Sequence, residues 1–317
     1  MPSIYQRPLK FILLLAIGLV TFSSCTRPPG LGHGEKPIIS FKSVEGITFI
    51  EVARRQKNGL SFNEYGYHLS PEWRLRFVSE DSAALYSPVK KQFLNFPLSL
   101  GTDSVFNTAR SFLRMKKMSK DSLVLELLEA KEDSMNINKS RVTMLFYSEG
   151  FIKNKLRTDT SLLKRVTRQD SLFIKNLAAK ANANYKKAFA AQQTVELTSA
   201  SPLVTISRRK TKPSYLENNF STADDYLDPT FDISIKNAYK DFYYSFSVYV
   251  DDKGQMIYRI PLIDLSGDDA VKNSYIRVST GVMNTYLKLY LKVKPGSTLG
   301  ITHASTISLH VQGIAKK

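Results

Sequence analysis

Catalysis needs a nucleophile, a base or a cluster of ligands, and this chain offers few of any. It contains one cysteine, Cys25, and four histidines, His33, His68, His303 and His310. No two histidines stand four apart as on the helix of a zinc protease, and no second thiol exists to act as ligand or nucleophile. His303 and His310 are seven apart on an expected strand, which puts them on opposite faces. Gly296-Ser297-Thr298-Leu299-Gly300 spaces two glycines four apart but has threonine at the centre, so it is no nucleophile elbow. Asp251-Asp252 and Asp268-Asp269 read as turn residues, and Asp251-Asp252-Lys253-Gly254 lacks the distant glutamate of a calcium loop. No glycine-rich phosphate loop occurs. The inventory points to a protein that is not an enzyme and uses no metal and no cofactor. The best candidate patch is the basic run Arg208, Arg209, Lys210 and Lys212, which reads as a surface for an anionic partner or as an exposed connection.

Cys25 has a different use. Arg7 and Lys10 precede the apolar run from Phe11 to Phe22, which is short for a membrane span, and Ser23 and Ser24 supply small residues before the cysteine. The segment resembles a bacterial lipoprotein signal peptide, with Phe22-Ser23-Ser24-Cys25 as its lipobox. That resemblance implies removal of residues 1–24, lipid attachment at Cys25, and a protein held on a membrane of the cell envelope, facing the periplasm. Residues 25–36, rich in Pro and Gly, then read as a tether. A single cysteine allows no intramolecular disulfide.

Loss of residues 1–24 removes two basic residues, Arg7 and Lys10, from a formal net charge of +17 and leaves +15. Such a balance suits anionic lipid or cell-wall polymers, or reflects scattered solvated lysines. The export signal argues against nucleic acid as a partner. With 317 residues, 43% of them hydrophobic, the chain can bury more than one core, and its length suggests about two domains.

Periodicity divides the remainder. Residues 37–158 carry short runs rich in branched and aromatic residues, namely 47–52, 73–78, 85–100, 112–118, 122–128 and 142–147, separated by polar breakers; they predict an antiparallel meander or barrel. Trp73, Leu75 and Phe77 share one face of a period-2 strand, and Trp73 reads as a core residue. Residues 159–227 comprise an amphipathic helix and a polar linker. Leu163, Val166, Phe173, Leu177, Ala181, Tyr185 and Phe189 form its stripe, and Asp170 or Ser171 is a candidate cap for a second helix. The stripe is expected to pack on a domain or a partner helix. Residues 228–317 predict a small α+β domain with an antiparallel sheet and one helix: the strand 242–250, a turn at 251–254, a second strand at 255–263, a helix over 270–291 broken near Gly281, a turn at 292–300 and a last strand at 301–311.

The N-terminal rhythm, including the stretch from Phe112 to Leu127, loosely resembles lipocalin-like domains of bacterial lipoproteins, which implies a closed barrel around an apolar ligand. In the last 85 or so residues, Val250-Asp251-Asp252-Lys253-Gly254-Gln255, then Lys294-Pro295-Gly296 with Gly300 and a closing strand, are similar to the C-terminal domain of TonB-type energy transducers. That implies strands packed on a helix and binding of a peptide or receptor by strand addition, without implying energy transduction. The sequence thus points to an α+β envelope lipoprotein that works as a protein-binding or scaffolding module with another envelope protein as partner; the alternative is a lipocalin-like carrier. Lipidation is directly testable. Cys25→Ala is expected to release the chain from membranes or stall its processing, read by fractionation and mass spectrometry; unchanged membrane association together with no acyl mass on the wild type would contradict it.

Overall fold

A computed structural model describes residues 39–131, 134–136, 142–210, 224–265, 267 and 269–316. Cys25, the tether and Lys212 lie outside them. From Ile39 onward the chain forms one compact unit.

The N-terminal strands are β1 (Thr48–Gln56), β2 (Arg74–Ser79), β3 (Ser82–Ser87), β4 (Gln92–Pro97), β5 (Ser99–Leu100), β6 (Val105–Thr108), β7 (Ser111–Met118), β8 (Ser122–Leu127), the short pair β9 (Glu129–Lys131) and β10 (Ser134–Asn136), and β11 (Val142–Ser148). Nine of them make one antiparallel sheet in the order β4-β3-β2-β1-β11-β8-β7-β6-β5. Its two ends, β4 and β5, are consecutive in the chain with only Leu98 between them, so this stretch pairs first with β3 and then with β6. The meander therefore returns on itself as an almost closed barrel. Alternation along each strand sends Phe49, Leu75, Phe77, Phe106, Leu113, Leu123, Leu125, Met144 and Phe146 inward, where they are fully buried. Phe41, from the segment entering the barrel, stacks on Phe77 with ring centroids 4.0 Å apart and meets Phe106 edge-on at 5.3 Å. The interior is filled by side chains, each contributing about 1.5–3 kcal/mol on burial. Trp73 precedes β2 and packs, half-buried, against this core.

Two buried carboxylates anchor the barrel to the segments around it. Glu51 on β1 accepts Arg54 Nε and Nη2 at 2.6 and 2.8 Å and the backbone N–H groups of Glu72 and Trp73. Burial nonetheless pushes its pKa above the usual carboxylate value. Asp170 begins the longer of two helices, α1 (Thr160–Leu163) and α2 (Arg168–Ala183). The break between them falls at 164–167, and the cap is Thr167 rather than Asp170 or Ser171: Thr167 Oγ1 accepts from Asp170 N, and the Asp170 carboxylate accepts from Thr167 N in return. Helix α2 ends at the cap Asn184, so Tyr185 belongs to a short 3-10 turn and Phe189 to an extended segment, not to the helical stripe.

Ile174, Ala178 and Ala181 of α2 pack with Phe62 from the β1–β2 connection and with Phe189 and Ala304 in a third core. Gly66 enables the approach. Its φ is +83°, a Cβ there would collide with the Ala190 carbonyl oxygen, and the neighbouring Tyr65 carbonyl accepts from Ala190 N.

The C-terminal strands are β12 (Glu196–Ser199), β13 (Val204–Arg208), β14 (Thr230–Ala238), β15 (Phe242–Val250), β16 (Met256–Pro261), β17 (Leu291–Lys294), β18 (Ser297–Thr298), β19 (Ile301–Thr302) and β20 (Ser305–Ala315), with helices α3 (Asp224–Leu227) and α4 (Asp269–Val282). The main sheet runs β13-β14-β20-β15-β16, and β14–β20 is its one parallel pair. The segment expected as a polar linker thus supplies β13 to this sheet and β12 to a ladder with β17. Strand β14, with Phe231, Ile233 and Ile235 buried, precedes the hairpin from which the sheet was expected to start. Helix α4 continues through a π-helical turn, Met283–Leu287, which accounts for the broken period near Gly281, and together they cover the apolar face. The last strand is split: His303 falls between β19 and β20, so it does not share a strand with His310.

His303 is wholly buried in that split, stacked on Phe189 with centroids 3.6 Å apart, with Nε2 2.9 Å from Thr298 Oγ1 and Nδ1 3.0 Å from Ala304 O. Burial pushes its pKa down to about 4. The folded state then binds fewer protons than the unfolded state, in which the ring titrates near 6.5. Its contribution is fully present above about pH 6.5 and lost as pH falls towards 4, a loss of about 3 kcal/mol. Unfolding midpoints measured from pH 7 to 4 are expected to fall less steeply in His303→Gln than in wild type; equal slopes would contradict this.

Candidate functional site

The sheet's second face, opposite α4, carries polar side chains because period-2 alternation gives the other face to the core. Register places Ser207 beside Asp232, Asp232 beside His310, and His310 beside Ser245, a polar row across β13, β14, β20 and β15. Ser245 Oγ lies 2.7 Å and the Tyr243 hydroxyl 3.3 Å from Nδ1 of His310. Arg209 donates Nε and Nη2 to the two oxygens of Asp232 at 2.8 and 2.6 Å. The hydrogen bonds from Arg209 hold the Asp232 carboxyl below its usual range, and burial followed by the Arg209 charge lowers His310. Ser245 is only 4% exposed, which keeps its hydroxyl from meeting a substrate in this arrangement, and Asp232 is committed to Arg209 rather than to the imidazole.

Two members of the basic run, Arg208 and Arg209, are tied to the fold at its surface. Arg208 Nη2 donates to the Asp225 carbonyl at 2.6 Å, Arg209 is ion-paired, and Lys210 is exposed. An exposed pair of this kind is worth about 0–1 kcal/mol, yet it occupies the guanidinium that the sequence alone shows as free. His310, Ser245, Tyr243 and Asp232 were not singled out as site residues by sequence. The available signal was the alternation Tyr243, Ser245, Ser247 in the hairpin strand; their partners on β14 and β20 come from distant sequence.

The sheet has two outer edges, β13 and β16. Bonds from Arg209 N to Thr230 O and from Lys236 N to Leu203 O set the antiparallel alternation, so the N–H of Ile206 points away from β14. On β16 the bulge opposite Ser247 and Val248, and Pro261 at the strand's end, interrupt the edge. Among the described residues, strand β13 is thus the more regular free edge, and it runs directly into Arg208 and Arg209.

Among the described residues, no three His, Cys, Asp or Glu side chains converge as metal ligands, and no helix is long and apolar enough to cross a membrane. The chain matches no known family model and no curated protein.

The row makes a prediction for His310. Its imidazole is expected to titrate below 6.5 by NMR, and Arg209→Gln should raise the value, since it removes a cation and leaves Asp232 unpaired; an unchanged or lower value would contradict the arrangement.

Proposed function

We propose that the protein is a lipid-anchored lipoprotein of the bacterial cell envelope that acts as a non-enzymatic binding or scaffolding module for another envelope protein. The observation that carries this reading is the outer edge of β13, where the Ile206 and Arg208 N–H groups have no backbone partner among the described residues. An extended segment laid along it would take its affinity from backbone bonds, as the TonB-like pattern implies, with Arg208 and Lys210 at one end. The lipid anchor rests on the sequence around Cys25. The filled interior favours a module over the alternative of a lipocalin-like carrier, because Phe41, Phe77 and Phe106 occupy the space that an apolar ligand would need.

Ile206→Pro removes one outward N–H and leaves the β13–β14 bonds intact. Capture of the envelope partner is expected to be lost in this variant while it still unfolds in one cooperative transition, at a midpoint lowered by the lost packing of Ile206 against the C-terminal core. A variant with Arg208, Arg209, Lys210 and Lys212 all changed to Gln should lose less, and wild-type capture should survive physiological salt. Capture that collapses with salt and ignores the proline would overturn the edge in favour of the basic run.

A further inference from the structure

An open cleft of about 510 Å³ lies at one end of the barrel, between the start of β1, the β7–β8 turn and the π-helical turn Phe151–Leu156 that comes after β11; its walls include Ile47, Thr48, Lys120, Glu149, Phe151 and Lys155. Its electrostatics are unbalanced. Lys155 is paired with Asp121 and Arg74 with Glu149, each at 2.6 Å, so both carboxylates that line the cleft are already neutralised. Two further cations have no carboxylate partner among the described residues. Lys120 stands exposed on the β7–β8 turn, where it lines the cleft. Arg76 reaches the rim through Thr48, whose Oγ1 accepts its Nε and Nη2 at 3.0 and 2.8 Å, while the Phe93 ring, 4.6 Å from the guanidinium carbon, covers one face. These contacts hold the guanidinium in place and leave Nη1 to donate elsewhere.

We propose that this cleft binds a phosphate monoester of a small organic molecule. A phosphate monoester carries about −1.5 to −2 at pH 7, which matches the two uncompensated cations, and Lys and Arg are the side chains that such a group recruits. Ile47 and Phe151 offer the organic part an apolar wall, and the volume falls within the range of small-ligand sites. The same chemistry has two sources, a soluble phosphate ester or the headgroup of a lipid phosphomonoester.

The test uses full-length protein carrying Cys25→Ala, so that no acyl chain takes it to a bilayer; it is titrated in phosphate-free buffer at physiological salt with phenyl phosphate and with benzoate by calorimetry, and its flotation is measured with vesicles containing phosphatidic acid or phosphatidylcholine alone. With the cleft intact, this protein is expected to bind phenyl phosphate, phosphatidic acid vesicles or both, at least about tenfold better than benzoate or neutral vesicles. Phenyl phosphate binding identifies a soluble ester as sufficient; binding confined to phosphatidic acid vesicles identifies the lipid source. Lys120→Gln, an exposed turn substitution, should weaken binding about tenfold, as should Arg76→Gln, whereas Lys292→Gln on β17 should leave it unchanged. Absence of binding to both phosphates, equal binding of benzoate, or equal loss in the Lys292 variant would overturn the proposal.

Discussion

A carboxylate with no solvent exposure is tolerated only where donors replace the water it gives up, and Asp170 is the point at which the end of β1, the connection after it and the cap of α2 supply them together. It accepts Ser61 N at 2.7 Å and Arg55 Nη1 at 3.3 Å from the end of β1 and the connection beyond, and Thr167 N and Oγ1 at 2.9 and 2.7 Å from its own helix cap. Burial opposes its ionisation, but the hydrogen bonds from Ser61 and Thr167 prevail and hold its pKa below the usual value, the reverse of Glu51. The start of α2 is thereby fixed against the barrel's first strand. Ile174, Ala178 and Ala181, further along the helix, then meet Phe62 on one side and Phe189 and Ala304 on the other. The barrel and the C-terminal sheet each have their own core, and the helix pinned by Asp170 builds the third core that joins them.

That joint could not be read from the chain in order. Its members come from near residues 60, 175, 190 and 304, and none belongs to a local pattern that announces its partner. Phe189 even fitted the helical stripe, because its spacing from Tyr185 continues the period; the helix stops at Asn184 and frees it to stack on His303. The barrel strands were legible because each buries one face, which imposes period two on Leu75 and Phe77 or Leu123 and Leu125. Strand β14 offered the same signal in Phe231, Ile233 and Ile235 but lies between the expected linker and the aromatic hairpin at 242–263, whose stronger alternation marked the start of the sheet. Strands β12 and β17 are four residues each, too short for periodicity to distinguish them from turns.

The functional surfaces were less legible still. A run such as Arg208-Arg209-Lys210 shows charge but not pairing, and Asp232, which neutralises Arg209, arrives through strand register. The reverse holds at the barrel end. Lys120 and Arg76 are ordinary residues in sequence, one in a turn and one on a strand, and only the strand order β2-β1-β11-β8 brings Arg76, bonded to Thr48, beside the cleft that Lys120 and Thr48 line. In both places some of the cations are neutralised locally in pairs, Arg209 by Asp232 and Lys155 by Asp121, and the cations left over mark where an anion would be favoured.

Because the Asp170-pinned helix links them, the three cores are expected to unfold as one. Trp73 is the only tryptophan and reports on the barrel, while amide exchange along β20 reports on the C-terminal sheet. Denaturant unfolding followed by both probes on the same protein is the direct measurement. Coincident midpoints are predicted; a β20 transition displaced from that of Trp73 would show that the two sheets fold separately and that the joint is merely a contact.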